Sequence, residues 1–182
     1  MNFLKILFFS IKLNQYLIWI AVRQFHNKIK FNTKKSINLM IKLRHIGIVA
    51  RGDLVVLKNF YKALINPHSI RETIEQGEEL DSIIGINNAK IETCKLYSSQ
   101  ISIEIIKYIN PVVQINNHSI PAFSGINHIA FTVDDFEKVK NLVVKNGGFC
   151  EGEKYKEIKN SSVKFVKYLQ DPENNILEFV EN

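Results

Sequence analysis

Two histidines and two glutamates fall at matching places along this chain. His45 lies in "LRHIGIVARGD" and His128 in "INHIAFTVDD"; Glu104 lies in "SIEII" and Glu178 in "ILEFV". Each sits in an apolar run that reads as a strand, where side chains alternate between faces. Leu43, His45, Gly47 and Val49 then share one face and Ile46 and Ile48 the other, while Ile126, His128, Ala130 and Thr132 lie opposite Ile129, Phe131 and Val133. Glu104 and Glu178 likewise point away from the apolar residues that flank them. Any one of these groups could be the polar side of a half-solvated strand. Repeated together, they are a donor set for Zn, Ni, Co, Mn or Fe, because imidazole nitrogen and carboxylate oxygen both suit those ions. Buried carboxylates without a counter-charge are costly, and a cation between the pairs would remove that cost.

The elements that must position the four residues repeat as well. The first half reads as a strand over 42–50, a helix "LVVLKNFYKALI" capped by Asp53 and ended by Asn66-Pro67, and strands in "LDSIIGI", "KIETCKLYS" and "ISIEIIKYI". The polar stretch "HSIRETIEQGEEL" reads as a loop between them. "NPVVQINNHSIPAFSG" reads as a linker. The second half then has a strand over 127–133, a helix over about 135–145, a turn at Gly147-Gly148, and strands in "FCEGEKYKEI", "SVKFVKYLQ" and "NILEFVE". Each half is βαβββ, so the expectation is an α+β fold of two modules, about 41–110 and 126–182, sharing one core.

Charge excludes one class of function. The chain of 182 residues carries 24 Lys and Arg against 18 Asp and Glu. Seven of the basic residues, and no acid, fall in 1–39, leaving 17 against 18 in the body. No basic stripe for phosphate backbones is present there, so a nucleic acid is not the expected partner. Residues 1–39 are apolar and basic. Lys5, Lys12, Asn14 and Gln15 interrupt the apolar run, which argues against a membrane span. The segment reads as an over-extended gene start ahead of Met40, or as a membrane-surface or targeting helix. The two cysteines, Cys94 and Cys150, have no metal-finger spacing and suit free thiols in the cytoplasm.

"HIGIVARGDLVVLKNFYKAL", "NHIAFTVDDFEKV" with "NGG", and "DPENNILEFVEN" together resemble the vicinal oxygen chelate superfamily, which includes the glyoxalase, bleomycin-resistance and dioxygenase proteins. The resemblance spans about 41–182. It implies an open cup-shaped sheet around one divalent metal ion (Ni, Zn, Co or Mn) held by His45, Glu104, His128 and Glu178. It also implies a small-molecule substrate chelated through adjacent oxygens, with Glu178 and secondarily Glu104 as the catalytic base, and a homodimer as one arrangement. The His-Glu-His-Glu set is most similar to glyoxalase I, a lactoylglutathione lyase acting on a hemithioacetal. Val49 and Tyr108 stand where that family has a glutathione-holding arginine and an asparagine. The strands also resemble methylmalonyl-CoA epimerase, which has glutamine in place of Glu104. Some relatives are binding modules without turnover.

Overall fold

The computed structural model describes residues 40–113, 125–151, 156–157 and 162–182. Leu43–Asn182 form one compact unit. The expectations for 1–39, and for most of the linker, lie outside the described residues.

The first module runs β1 (Ile46–Val49), α1 (Leu54–Ile65), β2 (Ser69–Gln76), α2 (Glu78–Ile84), β3 (Lys90–Tyr97) and β4 (Ser102–Asn110). The second runs β5 (His128–Val133), α3 (Phe136–Lys145), β6 (Lys156–Glu157), β7 (Phe165–Gln170) and β8 (Ile176–Glu181). Their sheets have the same order, β1-β4-β3-β2 and β5-β8-β7-β6. In each, the first strand pairs in parallel with the last, and the others pair antiparallel. The architecture is the expected α+β pair of modules, open rather than closed into a barrel. It consists of two four-stranded sheets, and no hydrogen-bonded ladder joins β1 to β5 among the described residues.

Two elements of the first module differ from the sequence reading. The polar stretch expected to be a loop is the strand β2, and "LDSIIGI", expected to be a strand, contributes to the helix α2. β2 is a sheet edge with most residues exposed, so its few apolar residues, Ile70 and Ile74, do not mark a buried face. In α2, Leu80 and Ile84 are one helical turn apart and pack with Ala89 and Ile91. Asp81 fixes the exit by accepting from the Asn88 and Ala89 N–H groups at 2.6 and 2.8 Å. The strand expected over "FCEGEKYKEI" is described only at β6, with a single bridge from Phe149 to Gln170.

Helices α1 and α3 cover one face of the two sheets and fuse them into a single core. Leu57, Phe60 and Tyr61 of α1 meet Phe136 and Val143 of α3, Leu96, Ile103 and Ile105 of the first sheet, and Leu169, Leu177 and Phe179 of the second. Each such side chain stabilises the fold by roughly 1.5–3 kcal/mol through burial. Both helices begin on an aspartate, as anticipated for Asp53. Asp53 accepts from Val55 N–H and Asp135 from Lys138 N–H, each at 3.0 Å, and each satisfies an N–H that the first helical turn leaves without a backbone partner. The bond from Lys138 N–H also holds the Asp135 carboxyl below its ordinary range.

The turn 171–175 fastens the second module to the first. Asp171, fully buried, accepts from Tyr61 Oη at 2.8 Å, from Glu173 and Asn175 N–H at 2.9 Å each, and from Asn175 Nδ2 at 2.7 Å. Burial pushes both the Asp171 carboxyl and the Tyr61 phenol up. Glu173 accepts from the N–H groups of Arg51 and Gly52 at 2.7 and 2.9 Å. The "RGD" triplet is thus a backbone clamp and helix cap. Close by, Gly148 sits where a Cβ would come within 2.6 Å of the Gln170 carbonyl, so no side chain fits.

Candidate functional site

The pairing of β1 with β4 sets Gly47 opposite Glu104, and that of β5 with β8 sets Ala130 opposite Glu178. His45 and His128 each lie two residues earlier and project on the same face as the glutamate. His45 sits just before β1 rather than inside it, and His128 is the first residue of β5. Both give the same contact: Nε2 to carboxylate Oε2 at 2.8 Å in each module. The small residue at Gly47 or Ala130 leaves the carboxylate uncovered by its neighbour on the adjacent strand.

Each pair fits a metal in donor type and spacing. An imidazole lone pair and a carboxylate oxygen repel at 2.8 Å, so a proton or a cation has to lie between them. Two ligands at about 2.1 Å from one ion and at right angles to each other would be about 3.0 Å apart. The other side of the His128 ring meets the side-chain oxygen of Asn127 at 3.2 Å from Nδ1. With Nδ1 donating there, Nε2 is the nitrogen that faces Glu178, and Asn127 acts as a supporting partner of the kind that orients ligating imidazoles. Tyr168 lies against the same ring, 5.2 Å between centroids.

His45 and His128 also line one cleft of about 790 Å³. Its walls are the edges of β1 and β5, with apolar Val49, Ile101, Ile126 and Ile129 and polar Arg51, Asn174 and Asn175. Within it the structure brings each histidine to its own glutamate but does not bring the two pairs together. Among the described residues no three His, Cys, Asp or Glu side chains are grouped closely enough to hold an ion.

The same arrangement of paired modules occurs in solved structures. A glyoxalase-family protein from Bacillus cereus superposes with a TM-score of 0.66 at 17% identity, over 81% of this chain and 97% of its own. A glyoxalase-family protein from Enterococcus faecalis gives 0.52 at 20%, over 77% and 97%. A glyoxylase/bleomycin resistance protein/dioxygenase domain from Frankia gives 0.51 at 14%, over 79% and 93%. The chain has the vicinal oxygen chelate fold. Neither a protein-family model nor a curated protein sequence matches it.

Within that fold one residue escaped the sequence reading. Lys95 of β3 stands opposite Glu104, and its Nζ is 3.1 Å from Glu104 Oε1. Both oxygens of Glu104 are therefore engaged, one by His45 and one by Lys95. The place equivalent to Lys95 in the second module, opposite Glu178 on β7, holds Tyr168, and Glu178 Oε1 has no partner among the described residues. The signal for Lys95 was present in "TCKLY", where Thr93, Lys95 and Tyr97 alternate on one face. It needed the β3–β4 register to become visible.

No described helix is long and apolar enough to cross a membrane.

Proposed function

We propose that this chain is a metal-dependent enzyme of the glyoxalase type, a lyase or isomerase that moves a proton on a small substrate presenting two adjacent oxygens, such as the hemithioacetal of a 2-oxoaldehyde. The observation that carries the proposal is the duplicated His–Glu contact at 2.8 Å with both imidazoles on one cleft. His45 with Glu104 and His128 with Glu178 are the residues that would hold a divalent ion (Ni, Zn, Co or Mn), and one ion shared by all four requires the two pairs, separate in this structure, to come together. When bound, such an ion supplies Lewis-acid charge that stabilises an oxyanion developing on the substrate.

The chain's own residues divide the remaining work. Glu178 is the base: its Oε1 is unengaged among the described residues, next to Ala130, and can take a proton from a carbon seated in the cleft. Glu104, held by His45 and Lys95, is less available for proton transfer. Asn127 and Tyr168 hold the His128 ring in place. Ile101, Ile126 and Ile129 present an apolar wall that a substrate can cover, displacing water from the reacting carbon.

The test is elemental analysis of the full chain after loading with Zn, Ni, Co and Mn, beside His128→Ala and Glu104→Ala, followed by proton–deuteron exchange on methylglyoxal hemithioacetals. About one ion per chain, lost in both variants, together with exchange by the parent, is the expected result. An equal metal content in parent and variants would overturn the ligand assignment.

The separation of the two pairs favours a second reading, a small-molecule-binding module without turnover. It predicts saturable binding of a hemithioacetal with no solvent exchange at carbon.

A further inference from the structure

A smaller cavity of about 240 Å³ shares His45 with the cleft and is otherwise lined by Arg44, Lys95, Tyr97, Ser102 and Ile103. The β3–β4 register builds it: Tyr97 stands directly opposite Ser102, and Lys95, two residues along the same face, stands opposite Glu104.

Its lining is rich in donors. The Arg44 guanidinium, the Tyr97 hydroxyl and the Ser102 hydroxyl have no side-chain partner among the described residues. Lys95 gives one of its three N–H bonds to Glu104 and keeps two. The acceptor nearest at hand, Glu104, already has both oxygens engaged. On β2, Arg71 stands opposite Lys95 and adds a third positive charge to this face, against Glu104 and, further along it, Glu75, which is taken up by the Thr73 and Thr93 hydroxyls. Such a lining is complementary to an occupant that brings acceptors and negative charge of its own. A guanidinium fork with an ammonium and two hydroxyls matches the several oxygens of a carboxylate, phosphonate or phosphate.

We propose that this cavity is an anion subsite, and that the ligand of the adjoining cleft is a small molecule carrying an oxyanion group held by Arg44, Lys95, Tyr97 and Ser102. This deepens the functional reading above by naming a substrate class, and rests on it only for calling the cleft a substrate site. The anion contacts use no metal.

The experiment titrates the full chain, freed of metal with a chelator, with inorganic phosphate and separately with acetate, by calorimetry and by amide chemical shifts. The expected result is saturable binding of at least one anion at one site. Arg44→Gln should weaken it at least fivefold, Tyr97→Phe two- to threefold, and the exposed-lysine control Lys138→Gln not at all. Lys95→Met should weaken it about tenfold and Lys95→Arg restore most of the loss. Because Arg44 and Tyr97 lie at the rim of the sheet, their variants keep the test open should Lys95→Met fail to fold. Tighter phosphate than acetate identifies a phosphate- or phosphonate-bearing ligand; the reverse identifies a carboxylate. Absence of saturable binding by either anion overturns the proposal, as does binding that Arg44→Gln and Tyr97→Phe leave unchanged. Anion binding by the stripped chain, with no divalent ion retained in the separate metal-loading assay, would uphold the subsite while removing the metal reading; metal retention in that assay without anion binding would do the opposite.

Discussion

The two modules place a histidine and a glutamate at the same register and the same 2.8 Å separation, then surround the glutamates differently. Glu104, 8% exposed, is clamped from both sides by His45 and Lys95. Glu178 is more open and keeps one oxygen free among the described residues, with Tyr168 in the place of the lysine. Duplication thus preserved the backbone that aims the pair, while one position on the neighbouring strand separates the two roles. A lysine there makes a neutralised carboxylate beside a basic cavity. An aromatic there braces the imidazole and leaves the carboxylate with an oxygen to spare.

The largest effect should come from exchanging each carboxylate for its amide. Glu178→Gln removes the free base oxygen, and its loss in deuterium exchange on a hemithioacetal should be on the order of 10²–10⁴-fold. Glu104→Gln should cost about tenfold, because the lost oxygen charge was already committed to Lys95. Equal losses would erase the distinction between the modules.

The modules also differ in the turn before the last strand. In the first, Ser98 closes the turn locally, its hydroxyl donating to the Ile101 carbonyl at 2.8 Å. In the second, Asp171 builds the turn and reaches Tyr61 across the core. Asp171→Ala strands a buried phenol and two backbone N–H groups, and should destabilise by about 3 kcal/mol or more in urea unfolding. Tyr61→Phe should cost about 1–2 kcal/mol and Ser98→Ala about 1 kcal/mol or less. If Asp171→Ala and Ser98→Ala proved equivalent, the turn would not be a fastening between modules.

How much of this the chain discloses before folding follows the same division. The two similar α+β modules, the helix cap at Asp53 and the faces of all four His and Glu residues were legible, since each rests on spacing within a few residues. Ile48 packs into the core and Glu104 away from Ile103 and Ile105, as alternation requires. The edge strand β2 was not legible, because exposure on both faces removes the apolar alternation that marks a strand. The helix α2 was mistaken for a strand because "LDSIIGI" is short and apolar, where the two periodicities cannot be told apart. Lys95 and the grouping of the four residues into two separate pairs depend on register and on how the sheets meet, and neither is a property of a local window.

Lys95 can itself be used to sharpen the comparison. Lys95→Met frees Glu104 Oε1 and makes the first pair resemble the second. In the metal-free chain the loss of this half-buried ion pair should destabilise by about 1 kcal/mol. With the competing ammonium gone, affinity for a divalent ion should rise about tenfold. The opposite signs are the diagnostic, read by thermal unfolding with and without metal. A fall in both would mean that Lys95 supports the pair rather than competes for it.

The smallest effect concerns the thiols, one in each module. Cys94 of β3 is fully buried in the core, whereas Cys150 is only half-buried. Burial, with the Glu72 carboxylate adding to it, pushes the Cys94 thiol up to about 11. In an unfolded chain a cysteine ionises near 8.5. Between those values the unfolded state releases a proton that the folded state keeps, so stability is fully present below about pH 8.5 and declines as pH rises toward 11. The contribution lost by pH 9.5 should be at most about 1.4 kcal/mol, the value of one full unit of such a window. Cys94→Ala lowers stability at every pH by the cavity it leaves, but it should flatten the slope between pH 8.5 and 10 relative to the parent. The slope, rather than the offset, carries the information. If it is the same in parent and Cys94→Ala, the core of the first module does not hold its thiol neutral in the way its burial beside Glu72 implies.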